Sequence, residues 1–479
     1  MAIQKLFSEG VPGLAAETGK MPLIIPRKGH NISRKQINPN ALRTLYRLRD
    51  EGFVAYLVGG CVRDLLLKRP PKDFDIATDA TPGQIKRLFR NCRLIGRRFR
   101  LAHLHFRDEI LEVSTFRAAV PEEPDATADE GESEEEARPR KHPRHLKDND
   151  GMVLRDNVFG TPEEDALRRD FTINALAYNI ADFSVIDYTT GLRDLKERII
   201  RPIGDPVIRF TEDPVRMLRA VRFAASHEFT IEPATWDAIC RLSATISRAA
   251  PARLYEEVQK LFLLGFARPV FELLDKSGLL AALFPGLGRW LQTDSRHREW
   301  LHTNLEGLDQ RHRNDTPVSP ALLLAALFGP GLEMEALAHS RDGGFPHQQA
   351  LDKVCTVALK EISQTVAITV RTGDRLRRIL ASQPALHRLP PRRPTALAAR
   401  PEFSEAMAYL RLTGETNREN HAVLKWWDAF LAGTPPETIA VPAGDGAPAT
   451  DGATPKRRRK RRRRPRRWLP ATPHISDII

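Results

Sequence analysis

The stretch Gly59–Pro82, GGCVRDLLLKRPPKDFDIATDATP, decides how the rest of the chain is read. It follows a short apolar run of strand type, Phe53–Val58 (FVAYLV). The glycine pair Gly59-Gly60 turns that strand into a helix carrying Arg63 and Asp64. Glycines at such a junction let the backbone approach a phosphate closely, and the free amides of a helix start attract anions. Arg63 adds a positive charge one turn in. Next comes Asp73-Phe74-Asp75. Residues i and i+2 of a strand share a face, so the two carboxylates are expected side by side, with Phe74 toward the core. Adjacent carboxylates repel, and a bound cation relieves them; oxygen-only ligands favour Mg²⁺, which completes its shell with substrate phosphates. A DxD by itself is weak and also occurs on ordinary surface strands. Behind Gly59, Gly60 and Arg63 it describes a triphosphate held above a metal pair. Glu112, in Leu111-Glu112-Val113, is the candidate third carboxylate, as ligand or as general base for an attacking hydroxyl. An exposed strand glutamate is the competing reading.

Working outward, Leu42, Leu45 and Leu48 predict a helix ended by Gly52, and Thr81-Pro82 opens another with the threonine as N-cap. Arg100–Phe106 and Glu109–Phe116 are strand-like. Pro121–Asp150 breaks this alternation with an acidic block, PEEPDATADEGESEEE, followed by the basic RPRKHPRH, and is expected to be a disordered insertion. Beyond about Thr211 the apolar spacing becomes helical and stays so to about Leu431. The expected fold class is α+β, with a mixed-sheet head and an all-helical neck and body. The expected division is a flexible lead-in at 1–33, a head at 34–202, a neck at 203–285, a body at 286–434, and a linker with basic tail at 435–479.

The chain has 479 residues, 41% hydrophobic and 28% charged, enough for several domains with buried cores. Its net charge of +13 is mostly one run: Lys456–Arg467, KRRRKRRRRPRR, holds 11 basic residues, and without them the balance falls to +2. Such a run cannot pack on itself, and its arginines (Arg457, Arg458, Arg461 and Arg462 among them) suit a polyanion whose condensed counterions they displace. Four scattered cysteines form no CxxC pair and no disulfide framework. With no stretch of about 20 apolar residues and no secretory leader, the expectation is a cytoplasmic protein without membrane contact.

Three more clusters carry charge. Arg168 and Arg169 offer guanidinium forks for phosphate oxygens, Asp170 suits a ribose hydroxyl, and Asn174 lies one turn on. Asp213 and Arg216, three apart on an expected helix, present an acceptor and donors to a base edge. Arg219 and Arg222 continue the spacing, with Arg222 rotated away toward RNA or packing. In LIGRRFRLAHLHF (94–106) the basic group Arg97, Arg98 and Arg100 precedes His103 and His105. With no third ligand in view, hydrogen-bonding or packing roles are expected for the two histidines.

GGCVRDLLLKRPPKDFDIATDATP, RRDFTINALAYN, GLRDLKERIIRPIGDP and EDPVRMLRAVRFAA, in that order, resemble the motifs of the class II nucleotidyltransferases. That family includes the tRNA CCA-adding enzymes and the bacterial poly(A) polymerases. The resemblance covers roughly residues 25 to 285 and implies a polymerase-β-like head. It implies Asp73 and Asp75 as Mg²⁺ ligands, Arg168, Arg169 and Asp170 as nucleotide contacts, and Asp213 with Arg216 as readers of the base. LIGRRFRLAHLHF, the lead-in and the basic tail are similar to the poly(A) polymerase branch, so ATP and RNA 3′ ends are the expected substrates, with RNA-degradation machinery the candidate protein partner. The rivals are a CCA-adding enzyme and a non-catalytic RNA-binding adaptor. An adaptor has no need of intact DxD and RRD.

Overall fold

The computed structural model describes residues 21–96, 101–118, 159–414 and 418–440, together with a short backbone ladder between Leu146–Lys147 and Val153–Arg155. Arg97, Arg98 and Arg100, most of the expected insertion, and the tail with Arg457, Arg458, Arg461 and Arg462 lie outside the described residues.

The head is an eight-stranded sheet. In chain order its strands are β1 (Leu23–Ile25), β2 (Ala55–Val58), β3 (Asp75–Thr78), β4 (Cys92–Ile95), β5 (Leu101–His105), β6 (Ile110–Thr115), then β7 (Leu176–Asn179) and β8 (Val185–Asp187). Across the sheet they run β1, β8, β7, β2, β3, β6, β5, β4. Every neighbouring pair is antiparallel except β3 and β6. Leu57, Ile76, Leu104, Leu111 and Val113 are buried in the main core with Leu45, Leu48, Val62, Leu65 and Ile85 of the helices α1 (Pro39–Asp50), α2 (Gly60–Leu66) and α3 (Pro82–Leu88). Local chemistry starts these helices: Asn38 caps α1 ahead of Pro39, and the Thr81 amide donates to the Gln84 side chain at 2.8 Å ahead of α3.

Residues 23–25 depart from the expected lead-in. They form the edge strand β1 on Val185–Asp187, and Ile32 is fully buried. A three-residue edge strand held by backbone hydrogen bonds leaves no periodicity for a sequence reading to find.

From Pro206 onward the described chain is almost entirely helical. The exception is Thr230–Ile231, paired in parallel with Ile199–Ile200. The first helices matter to the site: α4 (Pro162–Leu167) and α5 (Gly191–Glu197) in the head, then α6 (Pro206–Glu212), α7 (Val215–His227), α8 (Pro233–Leu242) and α9 (Pro251–Phe262). Further on, Pro320–Gly343 is the one described helix long and apolar enough to cross a bilayer, and 61% of its apolar window is buried. It packs as a core helix against His347–Thr365 and Val370–Leu386. Sequence reading does not register it as one run because Gly329, Pro330 and Gly331 interrupt the leucines, while the helix continues through them.

Candidate active site

The antiparallel register of β2 and β3 sets Val58 opposite Asp75, so the glycine turn leaving β2 arrives beside the carboxylate that opens β3. Gly59 has φ +78° and ψ −137°, a backbone shape only glycine adopts without strain. A Cβ placed there would stand 3.0 Å from Arg169 Nη1 and 4.0 Å from Asp75 Oδ2. We expect Gly59→Ala to lower stability by about 1–2 kcal/mol, through backbone strain, and to cut turnover in this cleft about 10- to 100-fold by displacing Arg169. Thermal unfolding beside steady-state kinetics checks it, and unchanged kinetics in a strained but folded variant would remove the turn from the site.

The carboxylates converge, with one departure from the expected geometry. Asp75 begins β3, whereas Asp73 lies two residues before the strand, because β2 ends at Val58, opposite Asp75, and its chain turns into a helix there. Phe74 packs against the core as expected. The parallel register pairs Ile76 with Val113, which sets Glu112 beside Asp75 on the next strand. Glu112 is half-exposed, and its Oε1 lies 3.4 Å from Nε2 of His103, its cross-strand partner on β5. Asp75 opens to solvent, yet protein atoms crowd it closely. That crowding, then the negative charge of Glu112, pushes its carboxyl up to about 6, with Asp73 adding to the rise and Arg169 opposing it. Loss of water around the carboxylate is what its proton responds to, so the crowding governs although the side chain is open on one side.

Facing these acids is an arginine clamp. A cleft of about 300 Å³ is lined by Asp75, Glu112, Ser114, Arg117, Arg168 and Arg169 among others. Both Arg168 and Arg169 are anchored by Asp165, buried on α4: Arg168 Nε donates to Oδ1 at 3.2 Å and Arg169 Nη2 to Oδ2 at 3.0 Å. The Arg117 amide also donates to Oδ1, at 3.3 Å. Burial would raise the Asp165 carboxyl, but Arg169 and Arg168 outweigh it and hold it low. The sequence reading missed Asp165. Its signal was the i,i+3 and i,i+4 spacing to the two arginines. Arg209 was missed too: from α6 it donates to the backbone carbonyls of Arg168 at 2.7 Å and Arg169 at 2.6 Å.

Asp170 and Asn174 come together, joined by Asn174 Nδ2 to Asp170 Oδ1 at 3.1 Å. Arg219 Nε reaches Asp170 Oδ2 at 2.7 Å. Burial pushes the Asp170 carboxyl up, but Arg219, Asn174 and the Phe171 amide outweigh it and hold the carboxyl at about 2. Arg63 departs from the expected phosphate contact. It is only 6% exposed, and its guanidinium is shared between Asn174 Oδ1 at 2.7 Å and Asp64 Oδ1 at 2.8 Å. Asp64 in turn lies 3.5 Å from His227. These two residues therefore brace the site from behind.

The expected helix through Asp213 and Arg216 is broken. Asp213 follows α6 with φ −147°, and Pro214 is the cap residue ahead of α7; the residue before a proline is driven out of the helical region. Asp213 accepts two bonds from Arg253 of α9, at 3.2 and 2.9 Å. Arg216 donates to Glu212 Oε2 at 3.1 Å and to the Arg209 carbonyl at 3.0 Å. Arg222 pairs with buried Glu257 at 2.5 Å, the packing alternative of its two readings.

Among the described residues, no three His, Cys, Asp or Glu side chains are grouped to wrap a metal ion unaided. Asp75 and Glu112, mutually repelling in an open cleft, with the charge of Asp73 near enough to act on Asp75, do fit a hard cation that takes its remaining ligands from phosphate and water.

Comparison with known proteins gives this geometry a family. The family described as the poly A polymerase head domain matches residues 55–201. That described as the probable RNA and SrmB-binding site of polymerase A matches 228–291, and the polymerase A arginine-rich C-terminus matches 343–467. Poly(A) polymerase I of Salmonella typhi is 43% identical over 452 residues, 93% of this chain and 92% of that protein. A CCA-adding enzyme of Bacillus licheniformis is 37% identical over 247 residues, 52% of this chain and 55% of its own length. The crystal structure of the Bacillus stearothermophilus CCA-adding enzyme in complex with CTP is similar at a TM-score of 0.50 and 26% identity, covering 84% of this chain and 80% of that one. With its carboxylates, glycine turn and arginine clamp assembled in a matching head, and with identity running nearly end to end, the chain belongs to the bacterial poly(A) polymerase family of nucleotidyltransferases.

Proposed function

We propose that this chain is a template-independent RNA adenylyltransferase, joining AMP from ATP to an RNA 3′-hydroxyl and releasing pyrophosphate. The observation that carries the reading is the opposition of Asp75 and Glu112 to Arg168 and Arg169 across one cleft beside the Gly59 turn. Asp73 and Asp75 would hold Mg²⁺; when bound, the metal supplies a lowered pKa for the RNA 3′-hydroxyl and neutralisation of the departing pyrophosphate. Arg168 and Arg169, fixed by Asp165, bind and orient the triphosphate. Gly59 and Gly60 let backbone amides approach it. Asp170 and Asn174 offer an acceptor and a donor to the ribose, with Arg63 and Arg219 holding them in place. Glu112, half-exposed beside His103, would accept the proton of the attacking hydroxyl.

Asp213 and Arg216 read the base after exchanging their present partners, Arg253 and Glu212, for its edge. The helical half, together with the arginines of 97–100 and of the tail, holds RNA by its phosphates. We place the activity in the cytoplasm, where RNA-degradation machinery is the fitting partner for exposed 3′ ends.

A CCA-adding enzyme shares this head, so nucleotide choice separates the two. Near-full-length identity to a poly(A) polymerase, against half-length identity to a CCA-adding enzyme, supports adenylation. We expect a 5′-labelled short RNA in Mg²⁺ to give a long ladder with ATP alone and little or no product with CTP alone. Addition that stops after three nucleotides and needs both would assign the chain to the CCA branch.

A further inference from the structure

We propose that Phe223 is a positioning residue for the nucleotide site, its ring gathering three arginine side chains and so fixing Asn174 and Asp170. This rests on reading the cleft as an ATP site. Phe223 lies on α7, 6% exposed, and touches nothing that reacts. The guanidinium carbons of Arg63, Arg219 and Arg222 lie over its ring at 5.2, 5.4 and 4.5 Å from the centroid. A ring has two faces, so at least two of these cations share one. Phe171, next to Asp170, meets the ring edge-on at 5.7 Å, and His227 packs against it at 6.1 Å.

Each arginine also has its own acid: Asp64 for Arg63, Asp170 for Arg219 and Glu257 for Arg222. Charge is therefore balanced without the ring, three against three. Those pairs do not bring the cations to a common place. The negative π-face does, because it attracts a guanidinium over its plane whatever the direction of its carboxylate partner. The consequence reaches the site through two bonds: Arg63 Nη1 to Asn174 Oδ1 at 2.7 Å, and Arg219 Nε to Asp170 Oδ2 at 2.7 Å. Arg63 comes from α2, the helix that begins at the glycine turn, and Arg219 from α7. The ring thus joins the turn, the ribose-facing pair and the first long helix of the neck. Leucine would fill much of the same volume but offer no negative face.

The test uses the full-length protein with Phe223 replaced by 4-fluoro-, 3,5-difluoro- and 3,4,5-trifluorophenylalanine. These keep the ring's shape and weaken its negative face stepwise. We expect KM for ATP to rise with each step, to roughly tenfold at three fluorines, with kcat within about twofold and the melting temperature nearly constant. Phe223→Leu gives a rise of the same size or larger; if it fails to fold, the fluorinated series still decides. A KM that stays flat across the series overturns the proposal while leaving the activity in place. A folded parent that neither binds nor uses ATP overturns the reading of the site and this proposal together.

Discussion

Asp75→Asn abolishes nucleotide addition, by about a thousandfold or more, and raises the melting temperature of the metal-free protein. Both results come from one carboxylate. In the cleft it is crowded by protein and faces Glu112 and Asp73, and its carboxyl is pushed up to about 6. In an unfolded chain the same group titrates near 3.9. Between those values the folded state binds the proton more tightly, so stability falls as pH rises through the window, and the full penalty applies above about 6. Asparagine cannot ionise and escapes it. The side chain is open to solvent, so screening reduces the gain to about 1 kcal/mol. The catalytic loss is large because the amide gives up the charge that would hold Mg²⁺ beneath the triphosphate, and the removed interaction belongs to the reacting centre. The measurement is paired: product formation in Mg²⁺, and melting in EDTA at pH 7.5 and pH 4.5. The variant-minus-parent difference in melting should be positive at pH 7.5 and shrink toward zero at pH 4.5. A variant that melts lower at both pH values contradicts the crowding argument, and one that retains activity contradicts the metal assignment.

The parts of this site legible in the sequence are those whose meaning is local. Gly59-Gly60, Asp73-Phe74-Asp75 and Arg168-Arg169-Asp170 each lie within a few residues, and each constrains its own backbone. The register that brings Gly59 to Asp75 also follows from chain order, because an antiparallel pair must place the exit of β2 beside the entry of β3. What was hidden depends on distance or on partner choice. Asp165 serves arginines three and four residues ahead, but also takes an amide from Arg117, 48 residues back, and only the fold reveals that it is buried. Arg63 reads as a phosphate ligand by its place after a glycine turn; it turns inward because Asn174, 111 residues on, offers a buried acceptor. Asp213 and Arg216 fit helical spacing, and Pro214 alone overrides it. The proline was visible, and the rule for the residue before it was the signal that went unused. β1 carried no signal at all, since three residues at a sheet edge are specified by their partner strand more than by their own pattern.

Asp165→Ala should be the most damaging change at a residue that need not touch substrate. The carboxylate is buried and carries three contacts: Arg168, Arg169 and the Arg117 amide. Removing it leaves two guanidiniums with one partner fewer and an amide that has lost an acceptor, which costs on the order of 3 kcal/mol; a partly exposed arginine pair keeps the figure at the low end of what breaking a buried ion pair costs. The effect on catalysis follows from freedom of movement. With Asp165 present, both arginines are held against one rigid helix; without it, each explores several rotamers, and the triphosphate must order them when it binds. We expect KM for ATP to rise at least tenfold and kcat/KM to fall about a hundredfold. Asp165→Asn separates the two roles, since it keeps an acceptor for the Arg117 amide and loses the charge; most of the stability should return while much of the KM defect remains. The pH dependence has the opposite sign to that of Asp75. Arg169 and Arg168 hold the Asp165 carboxyl below its ordinary value, so its stabilisation is present above about pH 4 and is lost as pH falls through the lowered value. Parent and Asp165→Ala should therefore converge in melting temperature on acidification, where parent and Asp75→Asn converge by losing a penalty instead. Should Asp165→Ala bind ATP as tightly as the parent, the arginines would be shown to need no anchor, and the clamp would have to be rebuilt around the carbonyl contacts of Arg209.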